Sequence, residues 1–140
     1  MNPTLRMILA VVAGIIVGNI VNGGLIMLSP MLIPPPEGVD PTNAESLAAN
    51  MHLFEARHFI VPFLAHALGT LAAAFLAAKL TPTRKMRAAL IVGGFFLLAG
   101  IANLFILPGA PVWFVALDVI LAYIPMGWLG WKLADKKTAE

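Results

Sequence analysis

The chain has 140 residues, of which 60% are hydrophobic and only 11% charged, and its mean hydropathy is +0.90. Soluble domains have roughly 45–50% apolar and about 25% charged residues, so this composition excludes a soluble or disordered chain. A net charge of +2 is too small to indicate a nucleic-acid partner. The sequence contains no cysteine, which excludes disulfides and cysteine-based chemistry. The composition therefore predicts an integral membrane protein, and the partner that it implies is the lipid bilayer.

Four stretches are apolar enough to cross the ~30 Å hydrocarbon core as helices, which takes about 20 residues each. They are residues 7–28, 59–78, 88–107 and 112–131. Turn-forming residues separate them, because Ser29-Pro30 and Thr81-Pro82 follow the first two stretches and a proline-glycine turn joins the last two. The sequence predicts one all-α domain over residues 1–140, a bundle of four transmembrane helices.

The longest connection, residues 30–58, is expected to carry one further helix. Residues 42–45 read Thr-x-x-Glu, the pattern of a capping box, with Thr42 as the cap. The apolar residues that follow recur at helical spacing: Leu47, Met51 and Phe54. This pattern predicts an amphipathic helix that lies at the outer membrane interface and runs on into the second span.

Small residues predict close contact between the first two spans. Gly14 and Gly18 have the four-residue spacing that lets helix backbones approach closely in membranes. The second span carries a matching series of small residues, namely Ala65, Gly69, Ala73 and Ala77. Asn22 lies one turn after Gly18, so its amide is expected to point into the same contact.

Basic residues are concentrated at one end of the predicted bundle. Eight of the nine lie there: Arg6, Lys79, Arg84, Lys85, Arg87, Lys132, Lys136 and Lys137. The opposite end carries only Arg57, together with four acidic residues: Glu37, Asp40, Glu45 and Glu55. The positive-inside rule then predicts that both termini are cytoplasmic and that the long loop faces outward.

Strongly polar residues inside the spans form a candidate site, since such residues are costly in hydrocarbon and need a partner or a function. They are Asn19, Asn22, His66, Thr70, Asn103 and Asp118. A rise of 1.5 Å per residue places most of them about 6–13 Å below the outer ends of their spans. This shared depth predicts a polar cluster inside the outer half of the bundle, with His66 and Asp118 as partners. The cluster is either a hydrogen-bonded scaffold or an outward-facing ligand, ion or proton site.

A second polar group leads from the loop towards this cluster: His52, Glu55, Arg57 and His58. If one helix continued through Pro62, most of these side chains would form a stripe that descends to His66. Glu55 and His58 have the Glu-x₂-His spacing of metal-binding bundles and are the candidates for metal ligands. No other span carries such a pair, which disfavours a metal site, and the sequence identifies no cofactor.

The segment at 51–70, MHLFEARHFIVPFLAHALGT, resembles sequences in a group of small bacterial four-span proteins. The segments IPPPEGVD at 33–40 and AYIPMGWLG at 122–130 extend the resemblance over most of the chain. It implies a bacterial inner-membrane protein and brings no activity or catalytic residue with it.

Three functions remain open. The first is binding of a small molecule or lipid in the polar cluster, or service as an accessory subunit of a larger membrane complex. The second is proton-coupled transport of a small solute by a homo-oligomer, at least a dimer, in which the His66–Asp118 pair titrates. The third is a metal- or haem-dependent membrane oxidoreductase at Glu55 and His58. No nucleophile or nucleotide-binding motif indicates an enzyme.

Overall fold

The computed structural model describes residues 1–136, so that Lys137, one of the basic residues counted above, lies outside the described residues. Within residues 1–136 the regular structure is entirely helical. The α-helices are α1 (Pro3–Leu32), α2 (Ala44–Ala49), α3 (Ile60–Leu80), α4 (Lys85–Ile106), α5 (Val112–Leu121) and α6 (Ile124–Asp135). Two 3₁₀ turns, Met51–Leu53 and Ala56–Phe59, connect α2 to α3.

Four helical segments are long and apolar enough to cross a membrane: Pro3–Leu32, Ala56–Leu80, Lys85–Ile106 and Val112–Asp135. Their outward faces are apolar as well, since Ile20, Leu98 and Ile120 are each more than 60% exposed. Exposed aliphatic side chains of this kind suit lipid, in which a helix satisfies its own backbone groups. The predicted all-α four-helix bundle is confirmed.

The central helix of the bundle is α3, which packs against α1, α4 and α6. Its contact with α1 is the closest, because a Cβ atom at Gly14 would lie 2.5 Å from the carbonyl oxygen of Ala73. A Cβ atom at Gly18 would lie 2.7 Å from the carbonyl oxygen of Gly69. Ala73 and Ala77 are completely buried. The small-residue contact between the first two spans therefore forms as predicted.

The first span continues past its expected end. Pro30 lies inside α1, which reaches Leu32, and the Ile33 N–H still donates to the Ser29 carbonyl at 2.9 Å. A proline removes its own backbone donor and crowds the preceding turn, yet α1 continues for two residues beyond Pro30. The prediction that Ser29-Pro30 ends this helix is wrong.

The fourth span, predicted as one helix, is two. Helix α5 ends at Leu121 and α6 begins at Ile124. Pro125 causes the break, because it has no N–H for the Leu121 carbonyl and its ring would collide with that group. Tyr123 lies in the break with φ −119° and ψ −75° and is only 2% exposed. The break therefore places a tyrosine in the centre of the bundle.

The outer loop differs most from expectation. Asn43, not Thr42, caps α2, since its Oδ1 accepts from the Ser46 N–H at 3.0 Å, while the Thr42 hydroxyl donates to Asp40 at 2.7 Å. Helix α2 ends at Ala49, so no single helix runs into the second span. Pro62 explains why α3 begins near residue 60. In a longer continuous α-helix its ring would collide with the His58 carbonyl, whereas a proline in the first turn of a helix is tolerated.

Candidate functional site

A cavity of about 200 Å³ lies at the outer-loop end of the bundle, the end that carries residues 33–59. The end of α1, the first half of α3, the last two turns of α4 and most of α5 form its sides. The loop covers it with Leu47, Met51 and Phe54, the three residues predicted to face the bundle. Four prolines also line it: Pro30, Pro35, Pro41 and Pro62. Its walls are therefore mostly apolar and rigid.

His66 and Asp118 lie together in the lining of this cavity. The Nδ1 atom of His66 is 2.8 Å and 3.0 Å from the two carboxylate oxygens of Asp118. Asp118 is 7% exposed, and burial of a carboxylate is costly unless hydrogen bonds compensate it. The contact between these two residues, predicted from their shared depth, is confirmed.

Tyr123 completes the group and was not predicted. Its hydroxyl donates to Asp118 Oδ2 at 2.7 Å, and its ring stacks on His66 with centroids 6.0 Å apart. Position 100 must be glycine to leave room for this ring, since a Cβ atom there would lie 2.6 Å from Tyr123 Cζ. The sequence did hold a signal, because the chain has one tyrosine and it stands two residues before Pro125 inside an apolar span. We call His66, Asp118 and Tyr123 the polar floor.

The hydrogen bonds of the floor use one of the two ring nitrogens of His66, whose side chain lines the cavity. Because Nδ1 faces the Asp118 carboxylate, Nδ1 carries the proton of the neutral ring and Nε2 is an acceptor. An imidazole oriented by a carboxylate in this way can accept a hydrogen bond or a proton at Nε2. The floor can thus bind a donor group of a guest or take part in proton movement.

His58 is the member of the predicted outer mouth that lies in the cavity wall. It is 6% exposed, and its Nδ1 accepts from the Glu55 N–H at 2.8 Å. The edge of its ring contacts Phe54 with centroids 5.3 Å apart. Phe59, which follows it, packs against Phe114 with centroids 4.7 Å apart. The side of the cavity near the loop is therefore aromatic on both sides of this histidine.

The rest of the outer mouth is on the surface. The Arg57 Nε and Glu55 Oε2 atoms form an ion pair at 3.1 Å in which both side chains are more than 60% exposed, and exposed pairs of this kind contribute about 0–1 kcal/mol. His52 is exposed as well. The stripe predicted to descend from His52 through Glu55 is wrong, because the loop is not one continuous helix.

The Glu-x₂-His pair does not form a ligand face on a helix. Glu55 is extended, with φ −92° and ψ 167°, and His58 belongs to the 3₁₀ turn that follows it. In the part of the chain that the structure describes, no group of three or more His, Asp or Glu side chains could hold a metal ion. The geometry expected for Glu55 and His58 as joint ligands is therefore wrong.

The predicted polar cluster divides into two sets. Asn103 lines the cavity with His66 and Asp118. Asn19 is exposed on the outer face of α1, where its Nδ2 donates to the Ile15 carbonyl at 2.9 Å. Its position one residue after Gly18 turns it about 100° away from the helix contact. Its assignment to the interior cluster is wrong.

The other two members are interior but do not line the cavity. Thr70 is completely buried, and its hydroxyl donates to the His66 carbonyl at 2.8 Å. Asn22 packs where α1 meets α3, since a Cβ atom at Gly69 would lie 2.9 Å from Asn22 Cβ. These two side chains lie in the helix contacts, apart from the cavity lining, and their part in ligand binding stays a prediction.

Comparison of the chain with protein-family models, with curated proteins and with solved structures found no match. The cavity, its apolar walls and its polar floor are therefore the basis on which a function can be proposed.

Proposed function

We propose that the protein binds a small, mainly apolar molecule in the cavity, with the polar end of the guest at His66 and Asp118. One observation carries this proposal: an apolar cavity of about 200 Å³ that includes a part-buried, hydrogen-bonded His–Asp pair in its lining. Ligand sites are typically concave and apolar with a few placed polar groups. Ionisable residues inside membrane spans commonly mark functional sites.

The size of the cavity limits the guest. Sites for drug-sized ligands enclose about 300–1,000 Å³, and this cavity is smaller. A compact molecule or the end of a single hydrocarbon chain fits it, whereas a whole diacyl lipid does not. The guest is a hydrophobic metabolite or one lipid chain.

Photolabelling tests the proposal directly. Octanol bearing a diazirine is expected to label peptides from the cavity lining of the purified protein in nanodiscs. Leu104→Trp fills the lining of the cavity and should abolish this labelling, because Leu104 is one of its walls. Leu98→Trp is the matched control, since Leu98 lies on the same helix and is 69% exposed. Equal labelling of both variants and the wild type would contradict the proposal.

The proposed setting is the bacterial inner membrane, with both termini in the cytoplasm. In support, basic residues from three segments lie near one end of the bundle: Arg6 donates to the Leu80 carbonyl at 3.2 Å, and Lys85 pairs with Asp135 at 3.2 Å. The resemblance to small bacterial four-span proteins supports the same setting.

Single cysteines test this orientation cleanly, because the chain has no cysteine of its own. Glu37→Cys should react with a membrane-impermeant maleimide in intact spheroplasts. Thr83→Cys should react only after permeabilisation. Both positions are exposed, so the reverse pattern would overturn the orientation and place the cavity in the inner leaflet.

Proton-coupled transport is a second candidate, favoured by the broken helix at Tyr123 beside the titratable pair. Interrupted helices next to buried ionisable groups are typical of transporter sites. Four helices enclose a narrow pathway, so a transporter would act as an oligomer. Proton flux across proteoliposomes that starts on addition of the guest and is lost in Asp118→Asn would favour transport. Gradient-independent exchange would favour simple binding, and co-purification with one membrane complex would favour an accessory subunit.

A further inference from the structure

The tautomer of His58 follows from its hydrogen bond. The Glu55 N–H donates to Nδ1 of His58 at 2.8 Å, so Nδ1 is an acceptor and carries no proton. A neutral imidazole has one N–H, and in His58 this must be Nε2–H. Its tautomer is thus the opposite of that of His66, whose proton lies on Nδ1.

The Nε2–H of His58 is a buried donor without a partner. Nε2 is sealed from solvent, and it makes no hydrogen bond to any atom of residues 1–136. Buried donors in native proteins are almost always paired. His58 lines the cavity, so a molecule bound there becomes the partner of Nε2 once the side chains that cover this atom move aside.

We propose that the guest carries a neutral acceptor oxygen, above all a carbonyl, which accepts a hydrogen bond from the Nε2–H of His58. This inference rests on the proposed binding function and names the chemical class of its ligand. The acceptor oxygen of the guest lies near the loop, among Phe54, Phe59 and Phe114. The opposite, more polar end of the guest faces the polar floor. The ligand is an apolar ketone, quinone or ester, oriented along the cavity.

Charged guests fit this arrangement poorly. A carboxylate would share an apolar cavity with the carboxylate of Asp118, and no lysine or arginine is among the described residues that line it. An ammonium group has donors and no acceptor, so it would leave the His58 donor unpaired. Electrostatics and hydrogen bonding thus both select a neutral acceptor.

Two sources can supply such an oxygen, a freely diffusing carbonyl compound and the acyl ester of a membrane lipid. Nanodiscs of diester and of diether phospholipids separate them, because ether lipids have no carbonyl. A His58 resonance that differs between the two lipids in the absence of any probe identifies the lipid ester. A resonance that moves only when a ketone is added identifies the diffusing compound.

The experiment combines ¹⁵N NMR of the imidazoles with competition of photolabelling. The chain has three histidines, so their signals can be assigned by single substitutions. Addition of 2-nonanone should shift the His58 Nε2 resonance, and nonane should not. One hydrogen bond corresponds to a preference of about fivefold, so 2-nonanone should compete with diazirine-octanol about fivefold better than nonane does.

His58→Phe should remove this preference, since the ring shape is kept and the donor is lost. His52→Phe is the matched control, because His52 is exposed and outside the cavity lining. If His58→Phe does not fold, the NMR experiment on the wild type still decides. A His58 resonance that responds to neither ketone nor lipid, or a preference that survives in His58→Phe, would overturn the inference.

The two proposals fail in different ways. If neither nonane nor 2-nonanone competes with the photolabel, the binding function itself fails. If both compete equally well and Leu104→Trp blocks both, the cavity binds guests and only the carbonyl assignment fails.

Discussion

The helices α1, α3, α4 and α6 leave almost no space between their backbones where they meet. This dense region lies towards the end of the bundle that carries the basic residues. A Cβ atom at Gly130 would lie 3.0 Å from the Leu71 carbonyl oxygen, and one at Gly127 would lie 3.2 Å from that of Ala89. At the outer-loop end, by contrast, α5 contacts its neighbours little and a cavity of about 200 Å³ remains. The contacts between the helices are thus dense towards the basic end, apart from a surface pocket beside the start of α1 and the α3–α4 turn, and they open at the other end.

The residues of the two regions explain the difference. Glycine and alanine let backbones meet, which is the main source of stability between helices in lipid. Four prolines and three phenylalanines are among the residues that line the cavity at the outer-loop end, and these larger side chains keep helix backbones further apart than glycine and alanine do. Two buried ionisable residues, His58 and Asp118, both line the cavity. Stability is thus concentrated in the dense region, and the open region is available for a ligand.

Among the variants that test packing and the loop, the largest expected effect is on the dense region. Gly18→Leu would place a side chain where the Gly69 carbonyl oxygen is 2.7 Å from the Cβ position, so α1 must separate from α3. Overpacking of this kind costs about 1–3 kcal/mol and occasionally more. Gly23→Leu is the control, since nothing lies within 4 Å of a Cβ atom there. Thermal unfolding in one detergent should show a large loss for the first variant alone, and equal losses would contradict the packing described.

A smaller effect is expected where the cavity borders the polar floor. Gly100→Ala would push the Tyr123 ring, whose Cζ is 2.6 Å from the Cβ position, away from Asp118. Loss of one buried hydrogen bond costs about 1–3 kcal/mol. Gly94→Ala on the same helix meets no atom within 4 Å and should be neutral. Thermal unfolding is the measurement to use. In near-ultraviolet circular dichroism, the signals of the three tryptophans would obscure that of the one tyrosine.

The smallest effect concerns the loop that covers the cavity. The Thr42 hydroxyl and N–H both donate to Asp40 and hold the pKa of its carboxyl below the ordinary value. This interaction stabilises the loop above the ordinary aspartate pKa and is lost as the pH falls through the lowered one. Thr42→Val should raise the pKa of Asp40, as measured by ¹³C NMR titration of its carboxyl. Thr4→Val, far from Asp40 in the sequence and structure, should leave it unchanged.

Much of the dense region was predictable from sequence, and much of the open region was not. The spacing of Gly14 and Gly18 determines a helix contact directly, because 3.6 residues per turn place both on one face. Depth along a span predicted the contact of His66 with Asp118. Depth says nothing about rotation around the helix axis, which is why Asn19 was assigned to the interior although it faces outward.

The effects of prolines were harder to predict because they depend on neighbouring structure. Pro30 is tolerated within α1, whereas Pro125 interrupts the fourth span. Both prolines have the same local cost, so the residue type alone does not show which helix continues. The position of Tyr123 depends on that break, so the sequence alone did not identify it as part of the floor.

The central claim is that the polar floor recognises a guest and is not only a scaffold. The decisive measurement is a double-mutant cycle of Asp118→Leu and His66→Leu, with thermal unfolding and diazirine-octanol labelling recorded for each variant. Each single variant leaves a buried polar partner uncompensated and should lose about 3–5 kcal/mol, and the double variant should lose less than their sum. The account predicts that the double variant is folded yet labels about tenfold less than the wild type. A double variant that is folded and labels as strongly as the wild type would contradict it.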